Sequence, residues 1–522
     1  MSGSNSSTPI SSRAIQYQFW EVALSNLSAS LDLHHEGALR VEITDPFGDI
    51  RWREGFWDGG VWRLRWMPLE AGPHHLRIET DLAELPESMG VVVDPVSPSA
   101  FGFHHECSSS GPVRIADDRV RFARADGQPF FLKSDSAFWG AIRSTDAEWA
   151  HYVRRCREQG FTAVEIAPFD PTGSVAHRFG QTISSLDDAL SDLTTLADVD
   201  RKIVAANAAG LVPIVYLPPI GRWPLGLGVD RGETIRLGRH LVARWGGYDV
   251  LWLLSGDGDQ EEEADDLLEV GQGIFGSDPW RAPVGVSVAA GAELVPRLQN
   301  ENWIGWLNHH GQLPTSAESP HQARPKGQNL ARRPIVNRDP VPGDTIGTDS
   351  PDDNGARVRE SLRALFAHPP AGSGYSIEPI VRWRTRGRPI PTIDGWETLT
   401  TGESLPLWAE ALEDARSKWV GAIDALLSRR FWQDLWPARE LPEAGSAEVL
   451  VLADAARERI RAYLPSGGEV RFPSLSGVYD AAWVDPATGQ AAGIVDSVDG
   501  SERFVVPGVG GWLLWLDVVD AF

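Results

Sequence analysis

At 522 residues the chain is too long for one ordinary domain, and about two to four are expected. Its 42% hydrophobic content supports large cores, while a net charge of −24 repels nucleic acid and anionic membrane surfaces and excludes both as partners. With only two cysteines, Cys107 and Cys156, no disulfide framework is available. No apolar run reaches the ~18 residues of a membrane span. The opening MSGSNSSTPISSRAIQYQFW lacks the apolar centre of a secretory leader, so a cytoplasmic location is expected. The 22 tryptophans stand beside seven tyrosines and three methionines. Indole rings stack on the C–H faces of sugars through the same area and π-face effects that bury them in cores. Most of them belong to cores, and the excess is a hint of carbohydrate only.

Residues 1–14 read as a disordered tail. Over 15–110 the segments ALRVEITD, GVWRLRWMP and HHLRIET alternate apolar and polar residues, broken by DPFGD, WDGG and EAGP. That pattern predicts an antiparallel β-sandwich, closed by a linker over Phe101–Val113. From about Val120 the texture becomes strand–helix alternation. A hairpin turns at Asp126–Gly127, and the strand Phe130–Ser134 ends at Asp135. Thr145 with Glu148 forms a capping box, and Trp149, Tyr152, Val153 and Cys156 make one helical face, stopped by Gly160. Further strands are predicted at Thr162–Ala167, Val212–Leu217, Val250–Ser255, Pro283–Val288, Trp303–Leu307, Pro334–Asn337 and Gly374–Ile377, with helices at Ala197–Ala209, Thr234–Trp245, Ala264–Ile274 and Ala356–His368 between them. Repeated βα units mean a parallel sheet, and about eight of them mean a closed barrel. The expected fold class is therefore α/β, a (β/α)8 TIM barrel over 111–439. A helix at Pro406–Leu427 packs outside it, and a small C-terminal β-sandwich domain occupies 440–522.

The stretch DVLWLLSGDGD, Asp249–Asp259, organises the rest. Its apolar run reads as a strand buried on both faces, and the acids that follow belong at the sheet's mouth, where parallel α/β folds keep their chemistry. The competing reading is that Asp257 or Asp259 caps the next helix. Other acids and histidines recur at strand ends: Asp135 on the first, Glu165 in the second, His309 and His310 on the sixth, Asp339 on the seventh and Glu378 on the eighth. Carboxylates at the ends of strands four and seven face each other across a barrel mouth, as glycoside hydrolysis requires. One donates a proton to the leaving oxygen while the other attacks or activates water. No GxxxxGKS/T phosphate loop, no GxGxxG strand–turn–helix unit, no HExxH and no CxxC pair occurs, and adjacent histidines on a strand point to opposite faces, so neither metal nor cofactor is expected.

The chain resembles the apiosidase-like glycoside hydrolases. RFARADGQPFFLKSDSAFW is similar to that family's ADG-x-PF hairpin and GDTAW-like strand, with Ser134 to Trp139 in its place. YDVLWLLSGD resembles the ILGGD strand, NHHG at 308–311 the QSGH segment, RPIVNRDP the PV-x-x-GEP strand and AAWVDPATGQ the W-x-DP-x-TG motif of the C-terminal domain. The resemblance implies Asp257 as general acid and Asp339 as nucleophile or base. Asp339 replaces the family's glutamate, and Val341-Pro342-Gly343-Asp344 replaces the usual tyrosine–acid pair. Glu378 is therefore the rival partner of Asp257. Asp135, Trp139, Glu165, His309, His310, Glu378 and Trp383 are candidate contacts to sugar hydroxyls and ring faces. The expected substrate is an oligosaccharide or glycoside, short or furanose-type and cleaved from its end, and a homo-oligomer is compatible with the sequence. The alternatives are a non-catalytic carbohydrate-binding barrel and a barrel lyase or isomerase.

Overall fold

The computed structural model describes residues 11–24, 39–80, 88–96, 110–169, 192–217, 230–276, 282–289, 291–311, 332–339, 351–385, 390–392, 395–397, 407–412, 415–427, 432–443, 448–486 and 488–519. Eight parallel strands close into a barrel in chain order. They are β1 (Leu132–Ser136), β2 (Ala163–Ile166), β3 (Val212–Leu217), β4 (Leu251–Asp257), β5 (Val284–Ala289), β6 (Trp306–His310), β7 (Ile335–Asp339) and β8 (Gly372–Tyr375). β1 pairs with β2 on one side and β8 on the other, which completes the closure. Helices α1 (Asp146–Glu158), α2 (Leu193–Ala208), α3 (Arg231–Trp245), α4 (Glu261–Phe275) and α5 (Pro351–Ala367) lie between strands, and α6 (Ala415–Leu427) follows β8.

Period-two alternation sorts every strand into two faces. Val164, Ile166, Val215, Trp252, Leu254 and Val286 point outward and share one core with Leu196, Leu237 and Leu267 of the helices. Leu132, Ala163, Ile214, Leu251, Leu253, Trp306 and Val336 fill the lumen instead. Trp306 fits there because β5 carries glycine beside it: a Cβ on Gly285 would stand 2.4 Å from the indole. The capping box is formed as expected, with the Glu148 N–H donating to Thr145 Oγ1 at 3.2 Å and the Thr145 N–H to Glu148 Oε2 at 2.7 Å.

The linker expected up to Val113 in fact ends in a strand. Val113–Ile115, Phe122–Arg124 and Pro129–Phe130 form a small antiparallel sheet. It leads directly into β1, so it closes the barrel's N-terminal end, with Phe122 edge-on to Trp306 at 6.1 Å. The sixth strand begins at Trp306 rather than Trp303, whose indole packs against Gly271 of α4. The eighth begins two residues early at Gly372, where glycines hid the strand pattern. In place of one helix over Pro406–Leu427, a 3-10 turn at Glu410–Leu412 precedes α6.

The N-terminal region pairs a five-stranded sheet with a three-stranded one. Their apolar faces meet over Trp20, Val41, Ile43, Leu64, Trp66, Leu76 and Val91. Ser11–Ile15 is a strand of this unit, paired in parallel with Gly90–Asp94, although its polar composition reads as tail. Main-chain hydrogen bonds hold most of it, and Ala14 adds its side chain to the shared core. After the barrel, six strands from Trp436 to Val518 form the C-terminal sheet, with the pair Glu469–Arg471 and Arg503–Val505 as a second layer.

Candidate active site

The mouth is the C-terminal end of the barrel strands, and Asp257 reaches it through a break in β4. Leu254 pairs with Val286 of β5, while Asp257 pairs with the very next residue, Ser287. Ser255 and Gly256 are therefore extra, a bulge of the kind that bends a strand and re-aims its side chains. Gly256 has φ +137°, and a Cβ on it would lie 3.0 Å from Leu267. That backbone favours glycine. Neither acid of the DGD segment caps α4: its N-cap is Gln260, with no side-chain cap bond. Asp259 instead accepts from the Ala289 N–H at 3.3 Å, and the Asp257 N–H donates to Glu263 Oε2 at 2.8 Å.

The Asp257 carboxylate faces β6. Its Oδ1 is 3.5 Å from His310 Nε2, both side chains being roughly half-exposed. The hydrogen bond from His310 holds the Asp257 carboxyl below the usual carboxylate range, against the upward push of partial burial. On β7 the register slips between His309 and His310, so that His309 pairs with Asn337 but His310 with Asp339. The backbone of Asp339 thus stands beside the histidine that touches Asp257. The side chains of Asp339 and Glu378 lie outside the described residues, as does Cys107. The Glu378 backbone opens a single helical turn, Glu378–Val381, after β8.

Beneath this level lies a polar layer. Glu165 of β2 is 2% exposed. Its Oε1 accepts from Ser134 Oγ at 2.8 Å, and its Oε2 lies 2.6 Å from Arg338 Nε and 3.4 Å from the Tyr216 hydroxyl. Asn308 of β6 donates to Ser287 Oγ at 3.3 Å and is hydrogen-bonded to Tyr216. Burial pushes the Tyr216 hydroxyl well above its ordinary pKa, so it stays a proton donor to Glu165, with Arg338 nearby opposing the shift. Phe138 packs edge-on to Tyr216 at 4.9 Å, and Trp139 edge-on to Phe138 at 6.0 Å. The Trp139 indole N–H is buried without a hydrogen-bond partner among the described residues.

Three sequence candidates stand outside the lumen. Asp135 points from β1 toward α1, where its carboxylate accepts from the Tyr152 hydroxyl and lies 3.9 Å from Cys156 Sγ. His309 packs behind the wall against His368, ring centroids 5.5 Å apart. Trp383 is fully buried, stacked on Trp408 at 4.4 Å and edge-on to Tyr152 at 5.4 Å. Asp257 and His310 meet at the mouth, while Glu165 lies in the polar layer beneath, which Tyr216 and Phe138 link to Trp139. Arg338, Tyr216, Ser134 and Asn308 join them, although sequence reasoning passed over them. Their signal was parity: each occupies a lumen-facing position of its strand. No group of three or more His, Cys, Asp or Glu side chains able to hold a metal occurs among the described residues.

The closed eight-stranded parallel barrel, with β sheets before and after it, is a fold that hosts many chemistries, and its family makes this one a glycoside hydrolase. The chain belongs to the apiosidase-like family: the family's model, "Apiosidase-like, catalytic domain", matches residues 116–434. Among solved structures, a family 5 glycoside hydrolase from Bacteroides vulgatus ATCC 8482 is similar at 15% identity and TM-score 0.64, covering 78% of this chain and 93% of that chain. A candidate glycoside hydrolase from the same organism covers 97% of this chain and 100% of its own at 13% identity and TM-score 0.65. Another glycoside hydrolase aligns over 79% of this chain and 98% of its own at 13% identity and TM-score 0.63. At such identities the likeness is one of fold. No curated protein matches the chain. No described helix is long and apolar enough to cross a membrane.

Proposed function

We propose that the mouth hydrolyses a glycosidic bond between Asp257 and Asp339, acting from the end of a short or furanose-type glycoside. The observation that carries this reading is the pair of register breaks in β4 and β7. They bring Asp257 to His310 and the Asp339 backbone beside that same histidine. Asp257, when protonated, donates to the leaving glycosidic oxygen. Asp339 attacks the anomeric carbon or takes the proton of the water that does, so that water's hydroxyl ends on the sugar and one proton on the leaving group. The hydrogen bond from His310 favours the charged form of Asp257. A sugar seated at the mouth displaces water and favours the neutral acid, the form needed for proton donation. Trp139 supplies an aromatic face and an N–H without a partner among the described residues for a ring oxygen or hydroxyl, and Phe138 and Tyr216 extend that wall.

The test is turnover of aryl pyranosides and furanosides by the wild type and by Asp257→Asn, Asp339→Asn and Glu378→Gln. General acid–base help is worth about 10²–10⁴-fold, and loss of a nucleophile at least that. Both aspartate variants should therefore be nearly inactive, while Glu378→Gln keeps measurable activity. Azide rescue of Glu378→Ala instead of an Asp339 variant would move the nucleophile to Glu378. Tight sugar binding by a wild type that turns over nothing would favour the non-catalytic reading.

A further inference from the structure

The proposed reaction makes no direct use of the Glu165–Arg338 pair. Burying a charge is costly unless it is paired, so the two side chains hold each other in place. The Arg338 guanidinium is fixed in a second direction, 5.1 Å from the Tyr216 ring centroid. Space for the pair comes from β8: a Cβ on Gly374 would stand 2.8 Å from Arg338 Cα and 2.9 Å from Ser134 Oγ. Arg338 is also the residue before Asp339, inside the register slip that sets Asp339 opposite His310. A slip at a strand's end is weakly specified by the ladder itself, because the pairing partners run out there. The ion pair reaches across the lumen from β7 to β2 and supplies the missing constraint.

We propose that Glu165 is a positioning residue: through Arg338 it holds the slipped end of β7, and so sets the Asp339 backbone beside His310. The inference rests on the catalytic reading of Asp339 given above.

A crystal structure of Glu165→Gln tests it without turnover. The expected result is an Arg338–Asp339 backbone that has left its pairing with His310, and unchanged pairing overturns the proposal. In kinetics, Glu165→Gln and Arg338→Gln should each lower kcat by about tenfold to hundredfold with KM moved less than about threefold, the pattern of a misplaced catalytic group. The double variant should be no slower than Arg338→Gln alone, since one residue acts through the other, whereas losses that multiply overturn the proposal. If Glu165→Gln does not fold, the double variant removes both charges together and carries the same crystallographic reading. Asp339→Asn assayed alongside separates the two layers. An inactive Asp339→Asn beside a fully active Glu165→Gln refutes positioning alone. A fully active Asp339→Asn refutes the catalytic reading and with it the purpose of the positioning.

Discussion

Asp200→Asn should loosen the seam between the N-terminal sandwich and the barrel. Asp200 lies on α2 and accepts from Arg244 Nε and Nη2, each at 2.8 Å, from Trp245 Nε1 at 2.6 Å and from Arg65 Nη2 at 3.0 Å. Arg244 belongs to α3, while Arg65 comes from the sandwich. Their side chains are 1% and 7% exposed. Removing one partner of a buried pair costs about 3–5 kcal/mol, because the other charge is left uncompensated. Here Arg65 keeps Glu21 at 2.7 Å and Arg244 keeps Asp58 at 2.9 Å. The low end, about 3 kcal/mol, is therefore expected, roughly a hundredfold rise in the population of the open seam. Hydrogen exchange measured by mass spectrometry on peptides spanning Trp62–Trp66 and Arg231–Trp245 reads it directly. As a control, Asp94→Asn breaks only the exposed pair with Arg13, which water screens, and should leave the exchange of these peptides unchanged. A change below about tenfold for Asp200→Asn, or one matched by Asp94→Asn, would refute the reasoning.

Acid should do the same work. Burial pushes Asp58 and Asp200 up, but the arginines outweigh it and hold both below the usual carboxylate range. Their stabilisation is present above the unfolded value of about 4 and is lost as pH falls through the folded values, so the seam should open in acid and not near neutrality. His310→Ala should raise the Asp257 pKa by removing the hydrogen bond that lowers it. If Asp257 is the general acid, the alkaline limb of the kcat/KM profile moves to higher pH; movement of the acidic limb would make it the group that must be charged. Asp135→Asn should lower the thermal midpoint while leaving KM unchanged, because its carboxylate serves Tyr152 behind the wall. A large rise in KM would return Asp135 to the mouth.

The fold was legible because its signals are local and repeat. The capping box at Thr145, the stop at Gly160 and the apolar run before Asp257 each report one element, and eight such units leave few topologies. What escaped is what side-chain pattern cannot carry. Ser11–Ile15 joins its sheet through main-chain hydrogen bonds, and β8 opens on GSGY, whose small residues leave room for Leu132, Ser134 and Arg338.

The site was half legible for a stricter reason. Composition at a strand's end says that a polar residue is near the mouth; parity says which face it takes. Ser134 and Ser136 face the lumen, which turns Asp135 between them outward to Tyr152. The same rule divides His310 from His309 and hands the seventh strand's inner position to Arg338. Parity then fails where chemistry is densest, because the bulges at Gly256 and at the end of β7 each change the count. Two neighbouring residues can thereby serve one site: Arg338 enters the floor by alternation, and the Asp339 backbone is set beside His310 by the slip that follows. A strand that kept its register would set Arg338, not Asp339, opposite His310. The breaks in register, invisible to a period-two reading, are what this barrel adds to its fold to make a site.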